Sequence, residues 1–246
     1  MDKMLYVAMT GAKQVMQAQA INNHNIANAS TTGFRADLHG FTSYPIYGDG
    51  YPTRVNAVTE SVGFDESTGT IADTGRDLDV AVMGSGWIAV QDAAGKEAYT
   101  RMGNLRLTPT GMLETAAGAP VVGDGGPVTL PPSTEITIGG DGTISVVPQG
   151  LGPATVSSVG RIKLVDPDPR ALVKGDDGLV RLKSGAAAPA SADVKLVSGA
   201  LESSNVNLPQ ALISMIELAR MFDLEVRSMT TAEQTEALAT RLVSAN

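Results

Sequence analysis

Asn205-Val206-Asn207-Leu208-Pro209-Gln210-Ala211-Leu212-Ile213-Ser214-Met215-Ile216-Glu217-Leu218-Ala219-Arg220-Met221-Phe222 begins a closing segment that reaches Asn246 with no glycine and one proline, Pro209. All 27 glycines of the 246-residue chain lie at or before Gly199. Glycine is among the residues that most weaken a helix interior, so the tail predicts a long helix and the middle does not. Leu208, Leu212, Met215, Ala219, Phe222, Val226 and Met229 alternate steps of four and three, the heptad spacing that keeps one seam toward a partner helix. Asn207 suits an N-cap, and Pro209 is tolerated in a first turn, where its missing N–H is unpaired anyway. A helix over residues 207–243 would be roughly 50 Å long at 1.5 Å per residue.

The other end of the chain answers it. Leu5, Met9, Ala12, Met16 and Gln19, with Val15 and Ile26 nearby, form a second seam of similar period. The spacing predicts an α+β protein in which long N- and C-terminal helices pair in coiled-coil fashion around everything between them. Ile213, Ile216 and Leu224 fall off the closing seam and would be exposed in a two-helix pair. A helix that is apolar on more than one side expects more than one packing partner.

Ser30-Thr31-Thr32-Gly33 ends the first helix, because hydroxyl side chains compete for backbone bonds and glycine accepts left-handed geometry. Residues 31–75 show no helical period, yet hold six of the ten aromatics: Phe34, Phe41, Tyr44, Tyr47, Tyr51 and Phe64. They predict an extended, aromatic-rich arm pinned to its own chain or to a neighbour. Residues 76–204 predict an all-β domain, with short apolar runs at 78–82, 87–91, 97–101, 105–108, 136–138, 144–147, 161–165, 179–182 and 194–197. Turn signals such as Asp92-Ala93-Ala94-Gly95 and Gly175-Asp176-Asp177-Gly178 separate them. Residues 1–30 and 205–246 together are then a helical assembly domain.

Composition narrows the function. The chain is 43% hydrophobic, enough for a sizeable core. Eighteen basic against 26 acidic residues give a net charge of −8, and the cations are scattered, which disfavours nucleic-acid binding. With no cysteine there are no disulfides and no thiolate sites. No uncharged apolar run approaches the ~18 residues of a membrane span, so membrane insertion is not expected. Met4 to Ala12 resembles a signal-peptide core, but Lys13 follows it and the helical stripe continues to Ile26, so no cleaved signal is expected.

Three blocks of sequence, in order, carry a resemblance. The first is Asn25-Ile26-Ala27-Asn28-Ala29-Ser30-Thr31-Thr32-Gly33-Phe34-Arg35. The second is Leu78-Asp79-Val80-Ala81-Val82, Gly86-Trp87-Ile88-Ala89-Val90 and Tyr99-Thr100-Arg101-Met102-Gly103. The third is Gly199-Ala200-Leu201-Glu202-Ser203-Ser204-Asn205-Val206-Asn207. Together they resemble the bacterial flagellar rod and hook family, and most closely its proximal-rod branch, with the distal-rod branch as nearest competitor. Ile26 and Met102 depart mildly from the family pattern.

The resemblance implies a non-enzymatic subunit of the flagellar basal-body rod, in the periplasmic space. It implies a helical assembly with copies of itself and other rod proteins, and delivery by the flagellar type III export apparatus without signal cleavage. The expected assembly residues are Leu5, Met9, Ala12, Met16, Ile26, Asn28, Gly33, Phe34, Leu208, Leu212, Met215, Ile216, Ala219, Phe222, Val226 and Met229.

The residues also argue against catalysis. His24 and His39, the two histidines, lie outside the β region where a pocket is expected. Asp77 with Asp79, Asp166 with Asp168, and Asp176 with Asp177 sit at turns where aspartate bonds backbone, so no metal or other cofactor is expected. Gly84-Ser85-Gly86 lacks the following helix that a phosphate loop requires. The rival from another class, a binding or catalytic β domain on an oligomerising stalk, would need a polar constellation that the β region does not offer.

Overall fold

The structure, a computed structural model, describes residues 4–45, 55–150 and 155–244. It is an α+β fold of two compact units. Met1–Ala29, Ala36–Asp65 and Val206–Asn246 form the first, and Ser30–Arg35 with Glu66–Asn205 the second.

The first unit holds α1 (Met4–Ala27), β1 (Asp37–Pro45), β2 (Val55–Phe64) and α2 (Leu208–Ser244). Asn207 caps α2 as its side chain suggests, the Gln210 amide donating to its Oδ1 at 3.1 Å. The two helices run antiparallel: Asn22 Nδ2 donates to Ala211 O at 2.9 Å near one end, and Gly11 lies under the Glu225 carboxylate toward the other. Between these points Val15 and Ala18 bury themselves against Leu218, with Phe222 beside them.

That seam is the predicted one only in part: Ala12, Val15, Met215, Phe222 and Met229 lie in it, and other expected residues do not. Ala8, Ala12, Val15, Ala18 and Asn22 are buried on α1, while Met9 and Met16 are 53% and 58% exposed. On α2 the inner side is Ala211, Met215, Leu218, Phe222, Glu225, Met229 and Ala232, each buried or half-buried. Leu208, Leu212, Ala219 and Val226, expected in the seam, are exposed. Both contact faces are therefore turned by a little less than one residue from the greasiest stripes. The reason is steric. Alanine and glycine along one side let two helix backbones come close, whereas a seam of methionine and leucine would hold them apart.

The stretch 31–75, read from its sequence as an extended arm, contains a hairpin. β1 and β2 pair antiparallel from Asp37 opposite Phe64 to Pro45 opposite Val55, with a bulge at Leu38/His39. α1 of the same chain holds it. The Thr59 amide donates to Gln14 Oε1 at 2.7 Å, and Thr59 Oγ1 to Gln14 O at 3.2 Å. At its base the Asp37 amide donates to Asn25 Oδ1, and Asn25 Nδ2 returns a bond to Asp37 O. Phe34 and Phe64 are buried, and Phe41 and Tyr44 are about half exposed. Tyr47 and Tyr51 lie outside the described residues.

The second unit is built of short antiparallel strands. In chain order they are β3 (Ile71–Asp73), β4 (Val80–Met83), β5 (Trp87–Gln91), β6 (Glu97–Thr100), β7 (Leu105–Leu107), β8 (Leu113–Thr115), β9 (Val122–Gly123) and β10 (Gly126–Pro127). There follow β11 (Ser133–Ile138), β12 (Thr143–Pro148), β13 (Ser157–Arg161), β14 (Leu164–Val165), β15 (Leu172–Lys174), β16 (Val180–Leu182), β17 (Lys195–Ser198) and β18 (Ala200–Glu202). The largest sheet has the order β14-β5-β6-β16-β15, and β11-β12-β13 form a second. Paired with one another are β17 and β4, β18 and β3, β7 and β8, and β10 and β9. Their inward residues, among them Val80, Ile88, Leu105, Leu113, Ile144 and Leu164, make one buried cluster. The run 161–165, read as a single strand, is split: Ile162 and Lys163 leave β13 to bond Gly142 and Val122 before β14 begins.

Candidate functional site

Two features rise from this framework, one in each unit. In the helical unit it is the surface that the pair leaves outside. Burying the small side chains puts the large ones in water: Tyr6, Met9 and Met16 on α1, and Leu212, Ile213, Ile216, Leu224 and Val226 on α2. On α2 these residues follow one another around the helix in the order Val226, Leu212, Ile216, Ile213 and Leu224 within roughly half its circumference at 3.6 residues per turn, one wide flank beside the seam. Past Ala232 the closing helix outruns its partner, and residues 233–241 are exposed on every side. Scattered apolar side chains are ordinary on a surface, but a contiguous flank of this kind marks an interaction site.

The expected assembly residues divide accordingly. Met9, Met16, Leu208, Leu212, Ile216, Ala219 and Val226 are exposed and available to a partner. Ala12 is buried in the intramolecular seam, and Leu5, Ile26, Met215, Phe222 and Met229 are half-buried. Asn28 is half-buried, its Nδ2 donating to His24 O at 2.9 Å.

Gly33 and Phe34 do something else. Both belong to the β unit, where Phe34 is buried with Lys174 Nζ 3.9 Å from its ring centre. Gly33 has φ +66° and lies so close to the Arg101 backbone that an added Cβ would overlap it. Only glycine serves at that position.

Here the three sequence blocks that carry the resemblance meet. Arg35 comes from the first, Arg101 from the second and Glu202 from the third, and the three side chains are 2%, 3% and 1% exposed. Arg35 Nη2 lies 2.8 Å from Glu202 Oε1, and Arg101 Nη1 lies 3.0 Å from Oε2. The Gly69 amide donates to Oε1 at 2.9 Å. Arg101 also donates to Val82 O and Gly84 O, with its guanidinium 5.5 Å from the centre of the Trp87 ring. Arg35 Nη1 donates to Ser67 O. Burial pulls Arg101 below the ordinary guanidinium value, and Glu202 pushes it back up.

No individual block announces this cluster. Arg101 and Glu202 stand a hundred residues apart, and nothing local to either reads as a buried ion pair.

Most of the polar groups weighed for chemistry have structural partners. His24 Nδ1 lies 2.7 Å from Asp37 Oδ2, and His39 meets the Phe41 ring edge-on at 6.0 Å. Asp79 accepts from Thr74 Oγ1, Asp166 from Ser85 Oγ, and Asp177 from Arg181. The Arg181 bonds hold the Asp177 carboxyl below its usual range. Among the described residues no group of three or more histidine or acidic side chains is placed to hold a metal, and no helix is long and apolar enough to cross a membrane.

Comparison with known proteins agrees with the order of the blocks. A family model described as the flagellar hook protein FlgE/F/G D1 domain matches residues 81–146, and one described as the flagellar basal body rod FlgEFG protein C-terminal matches residues 197–242. The flagellar basal-body rod protein FlgF of Salmonella typhimurium is 42% identical over 99% of both chains. FlgF of Escherichia coli is 40% identical over the same share, and the flagellar basal-body rod protein FlgG of Bacillus subtilis is 31% identical over 95% of this chain and 96% of its own.

Proposed function

We infer the role of this chain from one premise: it belongs to the flagellar basal-body rod proteins, of the FlgF type. It is a structural subunit of the proximal rod of the flagellar basal body, and it is not an enzyme. FlgF of Salmonella typhimurium is 42% identical and FlgG of Bacillus subtilis 31%, which supports the proximal-rod reading over the distal-rod one.

The finer reading is that the subunit assembles through its terminal helices. One observation carries it: beside a seam of small residues with Val15 and Leu218, the apolar flank of α2 and Met9 and Met16 of α1 stay exposed among the described residues. Covering them with the helices of neighbouring subunits removes that surface from water at ~25 cal/mol per Å². Copies of this chain and of other rod proteins supply those helices. A flank that meets a different patch on its neighbour makes a heterologous contact, which builds a helical tube when the rotation per subunit does not close a ring. The α1/α2 pair then works as a coiled-coil-like stave, and the exposed Phe41 and Tyr44 of the hairpin add an aromatic arm to the assembling surface. Delivery through the flagellar type III apparatus to the periplasmic span of the rod, without signal cleavage, completes this reading.

Deleting residues 208–246 tests it. The expected result is a non-motile cell without assembled rod beyond this subunit, together with a purified chain whose Trp87 emission still reports a folded β unit. Normal swimming by the deletion strain would refute assembly through α2.

A further inference from the structure

The closure of the β unit poses a problem that hydrophobic burial does not solve. β18 pairs with β3 over three residues only: Ala200 with Asp73, Leu201 with Ala72, and Glu202 with Ile71. β3 is exposed at every position, so its side chains impose no inward face. A slip of one residue would turn Glu202 out and bring Leu201 in. By burial that slipped pairing gains a leucine on the inner face for a carboxylate, and gives up only the small Ala200.

We propose that Arg35, Arg101 and Glu202 form an electrostatic clasp that sets the register of β18 on β3, and thereby fixes where the chain enters and leaves the β unit. Slipping the strand would strip the carboxylate from two guanidiniums that are themselves almost fully buried. A buried cation without its partner is far more costly than leaving Leu201 half-buried. The clasp also draws together both crossings of the chain. The Gly33 amide donates to Glu202 O at 2.8 Å, the Asn205 amide to Phe34 O at 3.3 Å, and the Ser203 amide to Thr70 O at 2.8 Å. Each of these bonds exists in one register only. A one-residue error would displace the departing chain by ~3.3 Å and reverse its faces. The inference stands apart from the assembly reading, because every group in it lies within the β unit.

Two variants of the full chain test it by urea unfolding and amide-resolved NMR. E202Q keeps the shape and removes the charge, and is expected to lower the folded-to-unfolded ratio by about a hundredfold or more, as breaking a buried pair does. In folded E202Q the Gly33, Gly69 and Ser203 amides should give more than one resonance or exchange at least tenfold faster, with Ile88 and Tyr99 amides at their wild-type protection. The triple variant R35M/R101M/E202L removes every charge of the clasp and is expected to fold, with the same heterogeneity at those three amides. A triple variant showing single resonances and wild-type protection at Gly33, Gly69 and Ser203 would overturn the proposal. So would an E202Q chain whose ratio is unchanged, or whose β5 and β6 amides lose protection in equal measure.

Discussion

Cells carrying Leu212→Asp together with Ile216→Asp are expected to be non-motile while the purified variant unfolds at the wild-type urea concentration. Leu212 and Ile216 are 42% and 52% exposed on α2, one turn apart and outside the intramolecular seam. Substituting exposed helical positions costs the monomer about 0.5 kcal/mol or less at each site. At an interface between helices the same carboxylates would be stripped of water without partners, at several kcal/mol per subunit. Every 1.4 kcal/mol is roughly tenfold in association, and the penalty recurs at each copy in the rod. Swimming radius in soft agar and the urea midpoint followed at 222 nm read the two effects separately. A strain that swims normally would show that this flank is not an assembly surface. A variant that fails to fold would show that Leu212 and Ile216 are held within the monomer.

The second large effect is expected at Leu218→Asp. Leu218 is 6% exposed and closes the seam on Val15 and Ala18, so an aspartate there buries a charge within the helix pair. A long amphipathic helix owes most of its stability to packing, and the loss is expected at about 3–5 kcal/mol. The helices span 24 and 37 residues, so most of the ellipticity at 222 nm should go with the seam. Trp87, the chain's single tryptophan, is buried in the β unit and should keep its native emission. Concerted loss of both signals would mean that the two units fold as one. Retained ellipticity would mean that the seam contributes little.

These three residues also mark how far the sequence could be read. The absence of glycine after Gly199, the Asn207 cap and the apolar repeat announced α2, and runs such as 87–91 and 97–101 announced β5 and β6. Side-chain size then misled. A period identifies a face but not how near a partner comes, and Ala8, Ala12, Ala18 and Ala211 joined Val15 and Leu218 in the seam while Met9, Met16, Leu212 and Val226 stayed outside. The hairpin at Asp37–Pro45 and Val55–Phe64 was hidden because Gly40, Thr42 and Ser43 break the alternation and neither face of β1 is fully buried. Its anchors are polar bonds from Gln14 and Asn25, which have no period at all. The three family blocks were legible as a pattern. Their meeting at Glu202 was not, because an ion cluster drawn from residues 35, 101 and 202 leaves no trace in any local window.

In the assembled rod, neighbouring subunits are proposed to cover the large apolar residues outside the helix pair. Methionine oxidation tests it directly, since a thioether reacts only where peroxide reaches it. Met9, Met16 and Met221 are exposed in the free subunit. Free protein and purified basal bodies would be treated with the same dose of hydrogen peroxide, and sulfoxide at each methionine quantified by mass spectrometry. Met9 and Met16 are expected to oxidise readily in the free subunit and to be at least tenfold protected in the rod. Equal oxidation of both residues in the two states would contradict it.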